Sequence, residues 1–239
     1  MPLSVKATQA EIEYFAADSK ADLVVTQPKY LPKLEGVRNA GTKVMVLGSE
    51  WQRNVEVEAP TLSPKHDALV IYTSGTTGKP KGVMHTHGSL EASIKMLVEA
   101  WAWAPEDKIL NVLPLHHVHG LINVLNCAMW TGATCEMREN WNAEEIWKAL
   151  LRPRDDPDSL SLFMAVPTIY YNLLKHYHSS DLKGVRERLS AFRLMVAGSA
   201  SLPSPTLEEW ERATGQRLLE RYGMTEIGMA ISNELGLRV

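Results

Sequence analysis

Residues 72–82 follow Tyr72 with Thr73, Ser74, Gly75, Thr76, Thr77, Gly78, Lys79, Pro80, Lys81 and Gly82. Three glycines, four serine or threonine hydroxyls and two lysines thus share eleven positions, a composition suited to a polyphosphate. Glycine lets main-chain N–H groups approach an anion closely, hydroxyls add donors, and lysine supplies a compact countercharge. The string is not a P-loop, which needs four residues between its glycines and Ser or Thr after the lysine. Here two residues separate Gly75 from Gly78, and Pro80 follows Lys79. A plain surface turn is the bland alternative, since Gly, Ser, Thr and Pro dominate turns.

Further groups with chemistry lie downstream. His116, His117 and His119 crowd residues 114–120, and with His85 and His87 they could supply imidazole ligands to zinc. Neither a cysteine pair nor a His-Glu helical spacing accompanies them, which weighs against that reading. Tyr222-Gly223-Met224-Thr225-Glu226 sets a hydroxyl beside a carboxylate, whose hard oxygen suits Mg²⁺. Gly198-Ser199-Ala200 is a small-residue turn after an apolar run, where open α/β sheets place ligands.

Taken in this order, residues 73–82, 114–120 and 222–226 resemble the signature motifs of the adenylate-forming superfamily, the AMP-dependent synthetases and ligases of acyl-CoA synthetase type. The resemblance implies that Thr73, Ser74, Gly75, Thr76, Thr77, Gly78 and Lys81 wrap the β- and γ-phosphates of ATP. It puts His117 between the nucleotide and acyl pockets, Tyr222 and Gly223 near the adenine, Thr225 on the α-phosphate, and Glu226 with Thr76 on Mg²⁺. Gly198, Ser199 and Ala200 join the adenine and acyl sites. The implied reaction turns a carboxylic acid and ATP into an acyl-adenylate, then a CoA thioester, with His117, Thr225 and Glu226 as its catalytic residues.

Within the superfamily the chain is similar to the malonyl-CoA synthetases and related mitochondrial acyl-CoA synthetases, through residues 116–120, 166–170 and 219–223. That points to malonate or methylmalonate and to fatty acid metabolism. A second carboxylate needs an arginine or lysine partner. The basic residue of that branch aligns with Asn172 and a pocket serine with Ala197, so Arg193, Lys175 or His176 would have to compensate.

These motifs need elements to hold them. Short β-branched runs alternate with helical periods, the pattern of an α/β fold with mixed β-sheets flanked by helices. Thr8 with Glu11 reads as a capping box opening a helix to about residue 19 that buries Ile12 and Phe15. Strands are expected at 22–26, 43–47, 68–72, 109–113, 133–137, 160–166, 192–197 and 216–221. A helix is expected over 34–40, and another over 90–101 behind the phosphate loop. Residues 56–65 form the best linker.

The formal charge of −3 lacks the dense basic patches of nucleic-acid binders. Cys127 and Cys135 are too few for a disulfide framework, so an intracellular, reducing setting is expected, mitochondrial or cytoplasmic. No apolar run approaches the roughly 20 residues of a membrane span, and no targeting segment is visible. The 239 residues are expected to form part of the family's N-terminal domain. Its Thr-Gly-Asp motif and C-terminal lid domain, with the adenylating lysine, are not found among them. Two readings stay open: part of a competent ligase, or a catalytically inert nucleotide-binding fragment.

Overall fold

A computed structural model describes residues 1–48, 58, 60–73, 78–138 and 141–235. Ser74, Gly75, Thr76 and Thr77 lie outside the described residues, as does most of the first half of the expected linker.

The first helix, α1 (Gln9–Asp18), starts as its sequence dictates. Glu11 N–H donates to Thr8 Oγ1 at 3.3 Å, and Thr8 N–H donates back to the Glu11 carboxylate at 2.7 Å. Its inward residues Ile12 and Ala16 join Ala7, Leu34 and Val37 in a small apolar cluster. Phe15 is only half-buried, because it turns toward Tyr72, with ring centroids 4.5 Å apart. Strand β1 (Leu23–Thr26) pairs in parallel with β2 (Lys43–Val46). A 3₁₀ turn (Pro28–Leu34) and the short helix α2 (Glu35–Asn39) make the crossover that parallel pairing requires.

Strand β3 (Asp67–Thr73) turns back on β4 (Lys81–Thr86), an antiparallel partner with Thr73 opposite Lys81. The Gly- and Thr-rich segment therefore lies between two strands of a hairpin, where the sequence predicts a strand followed by a helix. Helix α3 (His87–Ala100) follows, capped by Thr86 with Ser89 and burying Ile94 and Leu97.

The main body is one six-stranded sheet. It comprises β5 (Lys108–Asn111), β6 (Thr134–Met137), β7 (Leu162–Ala165), β8 (Leu194–Ala197), β9 (Leu219–Met224) and β10 (Gly228–Ser232) in the order β10-β9-β8-β7-β5-β6. All neighbours run parallel except β9 and β10. The central strands β7, Leu-Phe-Met-Ala, and β8, Leu-Met-Val-Ala, are buried at every position, as a parallel sheet covered on both faces demands. Strand β9 runs three residues beyond the expected 221 because β10 pairs with it, Met224 opposite Gly228 and Gly223 opposite Met229.

Helices α4 (Cys127–Thr131), α5 (Ala143–Leu150), α6 (Pro167–Ser179), α7 (Val185–Leu189) and α8 (Ser204–Thr214) complete the body. Trp210, fully buried, stacks on Trp147 with centroids 5.8 Å apart and meets Tyr170 edge-on at 4.8 Å. Two of the three polar ends find partners, Trp147 Nε1 donating to Leu173 O and Tyr170 Oη to Val196 O, each at 2.9 Å, while Trp210 Nε1 finds none among the described residues. The α/β class with mixed sheets flanked by helices is thus as expected. No helix among the described residues is long and apolar enough to cross a membrane.

Candidate active site

The parallel strands all end on one side of the sheet, and there a cavity of about 860 Å³ opens. Each wall comes from the segment just past a strand. Beyond β5 stand Val112, Leu113, Pro114 and His117; beyond β7, Val166 and Thr168; beyond β8, Ser199. Strand β9 and the turn after it contribute Arg221, Gly223, Thr225 and Glu226, and the hairpin closes the far side with Thr73 and Lys81.

The segment after β5 is set by two devices. Asn111, buried at the strand end, accepts from Leu113 N–H at 3.0 Å and donates to Gly120 O at 3.3 Å. A π-helix (His119–Asn126) then begins hard against that backbone, and it runs on into α4. A Cβ on Gly120 would lie 2.6 Å from Pro114 O and 2.9 Å from Leu113 O, so only glycine lets the helix start here. Such wide helical turns gather at functional sites.

The histidines separate by role. His117 is exposed on the cavity wall, and its ring meets that of His116 at 4.3 Å. Burial, and then His117 beside it, lowers the His116 pKa. His119 is almost wholly enclosed, and its pKa falls well below the usual histidine value through burial first and the Arg221 cation second. His85, buried on β4, is held low by burial, which outweighs the opposing effects of the Thr225 backbone and the Glu226 carboxylate. Among the described residues no three His, Cys, Asp or Glu side chains gather into a metal-holding group.

Arg221 was not singled out in sequence as a site residue. Strand register explains its placement: Ala197 faces Glu220 across β8 and β9, so Gly198 comes opposite Arg221. A Cβ on Gly198 would lie 2.4 Å from Arg221 Nε, so the missing side chain is what makes room for the guanidinium. Burial lowers its pKa to about 10, still cationic at neutral pH. Arg221 also donates to Ser199 Oγ at 3.4 Å, and Ser199 Oγ sits 3.2 Å from His119 Nδ1.

The hairpin is tethered to α1. Tyr14 Oη donates to Pro80 O at 2.8 Å, Tyr72 Oη donates to the Asp18 carboxylate at 2.6 Å, and Lys79 Nζ lies 5.9 Å from the Tyr14 ring centroid. Burial and the Asp18 carboxylate both push the Tyr72 pKa up.

Of the residues expected from sequence, Thr73, Lys81, His117, Ser199, Gly223, Thr225 and Glu226 line this one cavity. Gly78, Gly198, Ala200 and Tyr222 do not line it; Gly78 lies on the exposed hairpin at φ +98°, and the Tyr222 side chain faces solvent. The proposed compensating groups are placed elsewhere. Arg193 is committed to Asp107 at 2.5 Å and to Trp101 O at 2.6 Å, while Lys175 and His176 are absent from the cavity wall, as is the exposed Asn172.

A family model described as AMP-binding enzyme matches residues 1–238. The chain is 44% identical to the mitochondrial malonate–CoA ligase of Mus musculus, over 98% of this chain and 42% of the relative. It is 37% identical to the malonate–CoA ligase of Arabidopsis thaliana over 98% and 42% of the two lengths. Among solved structures, ATP-bound MatB from Rhodopseudomonas palustris superposes with a TM-score of 0.85 at 29% identity, covering 99% of this chain and 46% of that one. A malonyl-CoA ligase with methylmalonyl-CoA and AMP bound gives 0.85 at 30% identity, with 98% and 48% covered. The chain thus spans less than half the length of these relatives.

Proposed function

The chain belongs to the AMP-binding enzyme family, and from that premise we propose that it forms the nucleotide- and acid-binding part of an ATP-dependent acid–thiol ligase acting on malonate or methylmalonate. The carrying observation is the single cavity in which Thr73 and Lys81 face His117, Arg221, Thr225 and Glu226. Tail, α-phosphate and acid each find a suitable group along its length.

In the first step a carboxylate oxygen attacks the α-phosphorus of ATP, the bond to the bridging oxygen breaks, and pyrophosphate leaves with the electron pair. Two anions must approach, so fixed positive charge and aligned donors lower the barrier. Lys81 and residues 73–78 would hold the tail, and the Thr225 hydroxyl, on the same cavity wall, would donate to the α-phosphate. Glu226 makes no ion pair among the described residues and presents its carboxylate at the cavity wall. That hard oxygen fits Mg²⁺, with Thr76 as the second group read from sequence. The ion would neutralise charge on the phosphates.

In the second step the sulfur of CoA attacks the acyl carbon, AMP departs, and the thiol gives up its proton. His117, at the junction of the two ends, is positioned to line the path of the acyl group. Arg221 is the reason to favour a diacid, because a half-buried guanidinium beside the Ser199 hydroxyl offers a carboxylate several donors in fixed geometry. We assign the 239 residues to the family's N-terminal domain and place the reaction inside the cell, in the mitochondrion or cytoplasm, after the mitochondrial mouse relative.

Pyrophosphate release measured with a panel of acids tests the proposal. Malonate or methylmalonate is expected to exceed acetate and medium-chain acids. Turnover of acetate with none of malonate would overturn the diacid assignment. ATP binding without turnover of any acid would leave the inert nucleotide-binding reading.

A further inference from the structure

The walls of the cavity differ in kind along its length. Thr73, Lys81, Arg221, Thr225 and Glu226 line it where the hairpin meets β9, and each is polar or charged. Past β7 and β5 the lining turns to Val112, Leu113, Val118, Val166 and Ile169, and Trp141, brought in from beyond β6, completes it. These apolar side chains form a compartment with nothing to offer an anion.

Trp141 is firmly placed for a residue outside any helix or strand. The next residue, Asn142, opens α5 with a capping box, its side chain accepting from Glu145 N–H at 2.9 Å. Trp141 thus stands just before the cap, the place that ordinarily packs on the fourth helical residue, here the buried Ile146. It is half-buried against the main core, and part of it lines the cavity.

Strand spacing sets the reach. Neighbouring strands lie about 4.8 Å apart, so the steps from β9 through β8, β7 and β5 to β6 span about 19 Å. Malonate is far shorter. With both its carboxylates at the polar end, near Arg221 and Thr225, only a substituent on its central carbon extends toward β5 and β6.

We propose that the apolar compartment receives the alkyl group of a substituted malonate, and that Trp141 is the specificity-determining residue that ends the compartment and limits the length of that group. The inference rests on the ligase reading of the cavity and deepens it by naming the part of the acid that the pocket measures. Each buried methylene adds affinity until the chain meets the indole, and a further one must then displace packed core.

Calorimetry on the 239-residue chain saturated with AMP tests this, with malonate and its methyl, propyl, pentyl and octyl derivatives as probes. Affinity is expected to rise by about fourfold per methylene and then to drop at one length. In Trp141→Ala the drop is expected at a longer group. The first derivative rejected by the unaltered chain should there bind at least about tenfold tighter, with AMP affinity unchanged. Trp141→Phe retains an aromatic wall and should move the drop less; if alanine unfolds the chain, the phenylalanine variant decides alone. A drop at the same length in the variants would overturn the inference, as would affinity that stays flat through the whole series. Loss of CoA affinity in Trp141→Ala, with the alkyl series unmoved, would overturn it too and give the compartment to the pantetheine arm. Failure of the ligase reading looks different: neither malonate nor any derivative binds, although AMP does.

Discussion

The six-stranded sheet and the β3–β4 hairpin reach the same cavity with unequal support. Behind the sheet lies a continuous core that includes Trp101, Trp147, Trp210, Phe163 and Tyr170. The N-terminal helices rest on a separate cluster of only Ala7, Ile12, Ala16, Leu34 and Val37, and they tether the hairpin through Tyr14 and Tyr72. The sheet thus stands on a large continuous core, whereas the hairpin reaches that core through Leu69 and is moored besides to α1, whose own cluster is small enough to open locally.

The contrast can be broken from either side. The largest effect is expected from Trp210→Ala, which empties the stack against Trp147 and Tyr170 and should cost about 3–5 kcal/mol in denaturant unfolding, with both ligand sites lost together. Ile12→Ala should cost about 2–3 kcal/mol, but locally. Hydrogen exchange should quicken in α1 and the hairpin, ATP should bind more weakly, and the sheet should keep its protection; equal loosening of β7 and β8 would contradict the separation.

Gly198→Ala acts on the sheet. Its Cβ would intrude on Arg221, at a cost of about 2 kcal/mol, and calorimetry should show acid binding weakened while ATP binding persists. Acidification acts on both regions, through His85 on β4 and more strongly through His119 beside the sheet. The His119 pKa is lowered in the fold, so the unfolded chain binds the extra proton. Stability is then complete above the ordinary histidine range near 6.5 and is lost as pH falls below it, by at most about 1.4 kcal/mol for this group at pH 5.5. Thermal melts at pH 7.5 and 5.5 check the sign. Smallest is Tyr72→Phe, which removes the bond to Asp18 for about 1 kcal/mol and should surface as weaker ATP binding with an unchanged melting curve for the sheet.

What could be read beforehand divides along physical lines. The Thr8–Glu11 cap is a local signal, and so are the unbroken apolar runs of β7 and β8; each was evident in the chain itself. Strands β4 and β10 were not, because Lys81-Gly82-Val83 and Gly228-Met229-Ala230 carry little intrinsic strand preference and are extended only by their antiparallel partners. The motif residues Thr73, Lys81, His117, Thr225 and Glu226 could be listed in advance, since their types and order carry the chemistry. Arg221 could not be assigned a role that way. Its place depends on the register between β8 and β9 and on the absent side chain at Gly198, and register across a parallel pair leaves no mark in a linear string. The same holds for Ser199, whose left-handed backbone becomes meaningful only once His119 and Arg221 flank it.

The tethers from Tyr14 to Pro80 and from Asp18 to Tyr72 carry a practical corollary for anyone trimming this protein. The opening twenty residues hold no group that touches the cavity, and a minimal version designed around the motifs would discard them. Doing so would cut the hairpin's moorings. The shortened protein would keep its sheet, yet the strands that carry Thr73 and Lys81 to the cavity would lose these anchors, a defect easily misread as damage to residues 73–82 themselves.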